Sequence, residues 1–223
     1  MAKRPTFTAK DWERLVNDGS NYGGKGDQWT PEQRTLYECI KDKKVLKVQD
    51  AYVFSKQGKK EAGHAVKLAR LIAGFEPIKK VTSLIITHNA FDAEALQILI
   101  DSPYIQNIDY LQLGSNLLGD EGVRLLANTE KFRNVHTLSL ECNGIGPEGA
   151  RALAASPYLT RLTYLSLVDN RVGDEGALAL ADADNLGLLT YLHLGGNKIR
   201  SEEVKEKVRN SPKLASLKTL KIF

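Results

Sequence analysis

The chain has 223 residues, a hydrophobic fraction of 42% and a mean hydropathy of −0.30, which is typical of a globular protein with a buried core. The sequence has no apolar run of the roughly 20 residues that a membrane-spanning helix requires, and a Sec-type signal peptide is not expected. The net charge of +4 is unevenly distributed. Residues 1–80 carry 17 basic and 10 acidic side chains, whereas residues 81–223 carry 14 and 17. We therefore expect two regions that meet near residue 80.

The two cysteines, Cys39 and Cys142, are few for an extracellular protein, and the sequence has no Asn-X-Ser/Thr glycosylation acceptor. Both observations favour a reducing compartment. We expect a cytoplasmic protein, or one secreted by a route that needs no signal peptide.

The first 80 residues contain two helix starts, a loop and a strand–helix pair. Thr8 and Thr30 are predicted N-caps, and a proline follows the second at the first helical position. Between them, Gly19–Trp29 is a polar, glycine-rich loop. Val45–Phe54 is predicted to be a strand and Glu61–Phe75 a helix.

The rest of the chain repeats every 27 residues, with 28 before the last, partial copy. Each repeat opens with nine residues that have aliphatic side chains at positions one, four and six and asparagine at position nine. These segments are Val81–Asn89, Ile108–Asn116, Val135–Asn143, Leu162–Asn170 and Leu189–Asn197, with a partial copy at Leu217–Phe223. The alternation of positions four to six predicts a strand with one buried face. We expect the asparagine carboxamide to bond with backbone groups of neighbouring turns.

The second part of each repeat has helical periodicity. A buried position follows the asparagine, at Phe91, Leu118, Ile145, Val172 and Ile199. Acidic residues such as Asp120 and Glu121, or Asp174 and Glu175, then start a helix whose dipole favours them. The return loop has one more apolar position, at Ile105, Phe132, Leu159 and Leu186. Since a strand and helix of this size cannot bury their apolar faces alone, the repeats must stack into a solenoid.

This pattern resembles the ribonuclease-inhibitor-like class of leucine-rich repeats. The resemblance covers residues 81–223 and implies an α/β solenoid, with a curved parallel sheet on the concave face and helices on the convex face. The predicted repeats are 81–107, 108–134, 135–161, 162–188, 189–216 and the partial 217–223. Residues 1–80 are predicted to be a mostly helical cap that includes a degenerate first repeat, either as a cap alone or as a cap that also binds a ligand. The uniform repeats are similar to bacterial ones.

Motifs for catalysis are incomplete. Gly19–Lys25 spells GxxxxGK, but Gly26 stands where a P-loop has Ser or Thr. The histidines are scattered without metal-ligand spacing, at positions 64, 88, 136 and 193. We therefore predict a protein that is not an enzyme and has no cofactor and no metal.

A binding surface is expected on the outward positions of the strands. Three tyrosines share position three of their repeats, and tyrosine is frequent in interface hot spots. The predicted partner-binding residues are Tyr110, Gln112, Glu141, Tyr164, Ser166, Asp169, Tyr191 and His193. The alternative is that these side chains only cover the sheet.

The favoured function is binding of a protein partner on the concave face, as an effector or adaptor. The resemblance also allows a GTPase-activating protein or another regulator of a partner enzyme. A third hypothesis is an anchor to nucleic acid or anionic membrane through lysines at 41–44 and 56–60, which otherwise form a solvated surface. The apolar strand at 217–223 also suggests self-association.

Overall fold

The computed structural model describes residues 36–37, 39–40, 44–49 and 63–223. Strands and helices alternate along this part of the chain. The strands are β1 (Val45–Gln49), β2 (Ser83–Thr87), β3 (Tyr110–Gln112), β4 (Thr137–Ser139), β5 (Tyr164–Ser166), β6 (Tyr191–His193) and β7 (Thr219–Lys221). The helices are α1 (His64–Ala73), α2 (Ala93–Ile100), α3 (Gly119–Ala127), α4 (Pro147–Ala154), α5 (Gly173–Ala181) and α6 (Glu202–Arg209). Short 3-10 helices lie in the return loops at Glu76–Lys80, Glu130–Phe132, Asp184–Leu186 and Pro212–Leu214.

The seven strands form one parallel sheet in the order of the chain. Equivalent positions of successive repeats pair with one another, as Leu111 does with Leu138 and Leu138 with Leu165. Each helix packs against the helix of the next repeat. The prediction of a leucine-rich-repeat solenoid is therefore confirmed.

The core lies between the sheet and the helices. The apolar residues that follow the asparagines are buried, as are those of the return loops and the helix faces. Among them, Phe91 and Phe132 are completely buried. At about 25 cal/mol per Å² of apolar surface, burial of such side chains is the main force that holds the repeats together.

The five repeat asparagines form a ladder of hydrogen bonds through the interior. The Asn170 carboxamide oxygen accepts from the backbone nitrogens of Asn143 (2.9 Å) and Ile145 (3.0 Å) in the preceding repeat. Its nitrogen donates to the carbonyl oxygens of Leu140 and Leu167, both at 2.9 Å. These bonds pair backbone groups that the turn would otherwise bury without partners, so the predicted role of the asparagines is confirmed.

The turns after the asparagines alternate between two conformations. The residue before each asparagine is left-handed in all five repeats. In the first, third and fifth repeats the residue after the asparagine is left-handed too, at Ala90, Gly144 and Lys198. In the second and fourth repeats the left-handed residue is Gly119 or Gly173 at the start of the helix. The repeats are thus of two kinds, although the first four all have 27 residues.

The aspartates of the second and fourth repeats bond to the helix start of the following repeat. Asp120 Oδ1 accepts from the backbone nitrogens of Gly146 (2.6 Å) and Gly149 (2.9 Å). Asp174 Oδ1 accepts from Arg200 (2.9 Å) and Ser201 (3.2 Å) in the same way. A Cβ atom at position 149 would lie 2.6 Å from Asp120 Oδ1, so this approach requires glycine. The predicted acids do lie in the first turn of their own helices, but the aspartates also cap their neighbours.

The described part of the first 80 residues continues the solenoid. Strand β1 pairs with β2 in register, and α1 packs on α2. Leu36, Cys39 and Ile40 are helical and buried in the same core. The predicted helix starts at Thr8 and Thr30, the motif in the loop 19–29 and the lysines at 41–43 and 56–60 lie outside the described residues. The division of the chain at residue 80 stays a prediction.

Candidate partner-binding surface

The outward side chains of the strands form the concave face, which we define as positions three, five, seven and eight of the repeats. Each outward position lies beside buried leucines that anchor the strand, for example Leu165 and Leu167 around Ser166. The packing of these leucines therefore fixes the backbone positions of the outward side chains. Because the strands are parallel and in register, equivalent positions form rows across the sheet.

Aromatic side chains gather over β5, β6 and β7. The rings of Tyr164 and Tyr191 stack with centroids 4.4 Å apart and planes 6° apart. His193 meets Tyr191 edge-on at 6.2 Å and lies 5.9 Å from Phe223. Lys221 places its ammonium 5.8 Å from the centre of the Tyr191 ring. We call Tyr164, Tyr191, His193 and Phe223 the aromatic cluster.

The packing of this cluster changes its ionisation. Burial, and then the neighbouring Tyr191 and Glu141, raise the pKa of Tyr164. Burial and the positive charge of Lys221 lower the pKa of His193, against the opposing effect of Glu141 and Asp169. Both shifts favour the neutral forms of Tyr164 and His193.

Acidic side chains border the cluster. Glu141 Oε1 accepts a hydrogen bond of 2.8 Å from the Ser166 hydroxyl, and Asp169 is exposed. Desolvation, and then the charge of Asp169, raise the pKa of the neighbouring Cys142 thiol. A raised pKa disfavours the thiolate, which is the opposite of what a nucleophilic cysteine requires.

The structure brings most of the predicted partner-binding residues together. Tyr164, Tyr191 and His193 are in the aromatic cluster, with Glu141 and Asp169 beside it. Tyr110 and Gln112 lie on β3, where the Tyr110 hydroxyl is 3.4 Å from Gln112 Oε1. All of these except Asp169 are half-buried.

Ser166 differs from its expected outward exposure. Ser166 is 0% exposed, and its hydroxyl donates to Glu141 Oε1. Ser166 therefore orients a carboxylate and does not itself offer a surface. Sequence reasoning missed Lys221 and Phe223 as members of the surface, although their place in the partial last repeat aligns Lys221 with His193.

The described residues hold no group of three or more His, Cys, Asp or Glu side chains that converge as metal ligands. In the same part of the chain, no helix has the length and apolar character needed to cross a membrane. What the surface offers chemically is aromatic contact area, two carboxylates and hydrogen-bonding groups on paired parallel strands.

Three consecutive repeats match the model of the family described as Leucine Rich repeat, over residues 104–127, 133–154 and 158–181. Together with the seven-stranded solenoid, these matches support a leucine-rich-repeat protein. Such repeats generally mediate protein–protein interaction and are typically non-enzymatic modules. The search of curated proteins gave no match.

Proposed function

We propose that the chain binds a protein partner on its concave face, and that the aromatic cluster with Glu141 and Asp169 is the centre of the interface. The observation that carries this proposal is the stacked, half-buried pair of Tyr164 and Tyr191 on two adjacent, paired strands. Tyrosine provides a large contact area at a small cost in side-chain entropy. Because the rings already hold one another in place, a partner would order few further side chains on this surface.

The mixture of groups on the face also supports a protein partner. Phe223 is 80% exposed and extends the apolar surface, while Glu141 and Asp169 supply charge at its border. An apolar centre with a polar rim is typical of protein interfaces. Neighbouring strands lie roughly 4.8 Å apart, so the face of the seven-stranded sheet is wide enough for a helix, a loop or a small domain.

This proposal includes repeats of the ribonuclease-inhibitor-like class and a role as a bacterial effector or adaptor. Such a protein would act in the cytoplasm, or would be secreted by a route that needs no signal peptide. The feature that supports the class is the repeated sequence pattern of residues 81–223. No described feature favours GTPase activation or the nucleic-acid and membrane hypotheses over this one.

The test is the recovery of a partner isolated from the native host with the full chain as bait. We expect the double variant Tyr164→Ala/Tyr191→Ala to reduce recovery at least about tenfold, since hot-spot residues contribute 2 kcal/mol or more. The thermal midpoint should change little, because neither ring lies in the core.

A matched control is Tyr104→Ala/Tyr158→Ala, which removes two half-buried tyrosines from the return loops. This control should leave recovery unchanged. Equal recovery with the concave-face variant and the wild-type chain would refute the proposed surface.

A further inference from the structure

A pocket lies between the return loops of the second and third repeats, at the end of the sheet where β4 and β5 begin. Its volume is about 450 Å³, within the range of about 300–1,000 Å³ that ligand sites occupy. Its lining includes Arg133, Asn134, Thr160 and Arg161. Two of these side chains are cationic, and none of the described residues that line the pocket is acidic. The pocket therefore favours a negatively charged ligand.

Arg161 is held over the return loop of the preceding repeat. Its Nη1 donates to Oδ1 of Asn134 at 3.2 Å, and the two residues are 27 positions apart, at the same place in successive repeats. The bond brings the guanidinium of Arg161 next to the residue that follows Arg133 in the chain. It also engages the carboxamide oxygen of Asn134, so the side-chain group that Asn134 offers to a ligand is the N–H donor.

The two arginines of the pocket differ from those on the helices in how their charge is balanced. Arg124 and Arg151 each lie 2.6 Å from a glutamate of their own helix. Arg133 is 4.0 Å from Glu130, and these side chains are 66% and 73% exposed. Within the described part of the chain, Arg161 has no ion pair. Since a long, exposed ion pair stabilises little, a ligand with a higher charge can replace Glu130.

The chemistry of the lining selects among anions. A guanidinium presents N–H donors in a planar fork that fits the oxygens of a carboxylate or a phosphate. A phosphomonoester carries a charge of about −1.5 to −2 at pH 7 and three strong acceptor oxygens, which matches two arginines better than the single charge of a carboxylate. Residues 81–223 carry 14 basic and 17 acidic side chains. An extended polyanion such as nucleic acid would therefore be repelled beyond the pocket, whereas a compact dianion fits inside it.

We propose that this pocket is a phosphomonoester site in which Arg133 and Arg161 bind the phosphate oxygens. Asn134 and Thr160 donate further hydrogen bonds to the same group. A small phosphorylated molecule and a phosphorylated side chain share this chemistry. The pocket lies on the return loops and not on the concave face, so the site does not rest on the function proposed above.

The experiment follows the backbone amides of the full chain by NMR during titration with phosphoserine whose amino and carboxyl groups are blocked. We expect a Kd on the order of millimolar, with the largest shifts at Asn134 and Thr160. Blocked serine, which lacks the phosphate, should cause no shift. Blocked glutamate, which carries a single charge, should bind at least about fivefold more weakly.

A Gly-Ser peptide with one central phosphoserine distinguishes the two sources of the phosphate. Tighter binding of this peptide than of blocked phosphoserine would identify a phosphorylated side chain as the ligand, because the return loops would then also contact the peptide backbone. Equal binding would identify a small phosphorylated molecule, since the phosphate group alone would be recognised.

A double variant tests the two arginines. Arg133→Gln/Arg161→Gln should weaken the binding of blocked phosphoserine at least about tenfold, because it removes charge-assisted hydrogen bonds. Arg171→Gln/Arg200→Gln is the matched control: both arginines are exposed, they follow the repeat asparagines at the other end of the strands, and the change in net charge is the same. The control should bind within about twofold of the wild-type chain. Equal weakening by the two variants would show an effect of net charge alone and would overturn the site.

A single variant tests the pocket with almost no change of shape. Asn134→Asp places a carboxylate beside Arg161 and should abolish measurable binding of blocked phosphoserine. Asn128→Asp adds the same charge at the exposed end of α3 and should keep the affinity of the wild-type chain. The site is also overturned if blocked phosphoserine causes no shift at Asn134 and Thr160, if blocked glutamate binds as tightly, or if Asn134→Asp binds like the wild-type chain.

Discussion

The two faces of the sheet use the same strands in opposite ways. Towards the helices, position four is leucine in each of β2 to β7, and position nine is asparagine wherever the repeat is complete. On the concave face, the same six strands carry serine, tyrosine or threonine at position three. At position five they carry five different residue types. The interior residues are constant because each must fit the repeat before it. The concave residues need fit only one another, so they can vary with a partner.

If the interior residues hold the repeats together, replacing one of them should reduce the free energy of unfolding much more than replacing an exposed residue of the same type. The largest effect is expected for Asn170→Ala. It removes the acceptor for two buried backbone nitrogens, Asn143 and Ile145, and the donor to three carbonyl groups. We expect a loss of about 3–5 kcal/mol in the free energy of unfolding, measured by urea denaturation.

Asn128→Ala is the control for this prediction. Asn128 is exposed, and its side chain donates to the carbonyl of Arg124 at 2.8 Å. The control should lose less than about 1 kcal/mol. Similar losses in the two variants would show that the ladder does not stabilise the stack beyond an ordinary surface hydrogen bond.

An intermediate effect is expected where one repeat caps the next. Asp120→Ala removes the acceptor at the start of α4, and we expect a loss of about 1–2 kcal/mol, in the range measured for N-caps. Glu121→Ala, in the same turn of α3, removes only an exposed ion pair with Arg124 and should cost less than about 0.5 kcal/mol. Chemical denaturation of both variants measures the difference, and equal losses would contradict the role of Asp120 as a cap between repeats.

The smallest effect on stability is expected on the concave face. Burial and the charge of Lys221 lower the pKa of His193, so Lys221→Ala should raise it towards the ordinary value near 6.5. The measurement is an NMR titration of the histidine ring protons. Because the folded pKa is lowered, the unfolded chain binds more protons just below pH 6.5, and this group reduces stability as the pH falls through that window. In Lys221→Ala, the loss of folding stability caused by His193 as the pH falls should therefore be smaller than in the wild-type chain.

Lys218→Ala, on the exposed start of the same repeat, is the control with an equal change in net charge. It should leave the His193 titration where it is. A shift of the same size in both variants would mean that the net charge of the chain, and not the contact with Lys221, acts on the ring.

The fold could be predicted from the sequence because its determinants are local and repeated. Asparagine at position nine and leucine at position four recur in register, and each copy confirms the others. The two kinds of turn were not predicted. The left-handed glycine lies at the start of the helix in two repeats (Gly119 and Gly173) but directly after the asparagine in another (Gly144), and the repeats are otherwise similar. The cap by Asp120 was missed for a related reason: its partners are 26 and 29 residues away in the chain, where no local capping rule applies.

The candidate site was less predictable. The sequence identified the row of tyrosines, because register follows from the repeat. It did not show that the rings of Tyr164 and Tyr191 stack, which depends on side-chain packing across strands. The hydrogen bond from Ser166 to Glu141 was not predicted either, because the two residues are 25 positions apart in the chain.

The alternation of the turns has a consequence for how such an array of repeats can arise by gene duplication. Gly119 and Gly173 are 54 residues apart, and so are Gly144 and its left-handed counterparts Ala90 and Lys198 on either side. Duplication of a single 27-residue repeat would place two identical turns side by side and break the contact between unlike neighbours. Duplication of a pair preserves every junction. The unit of gene duplication that this architecture favours is therefore two repeats, although the sequence pattern shows only one.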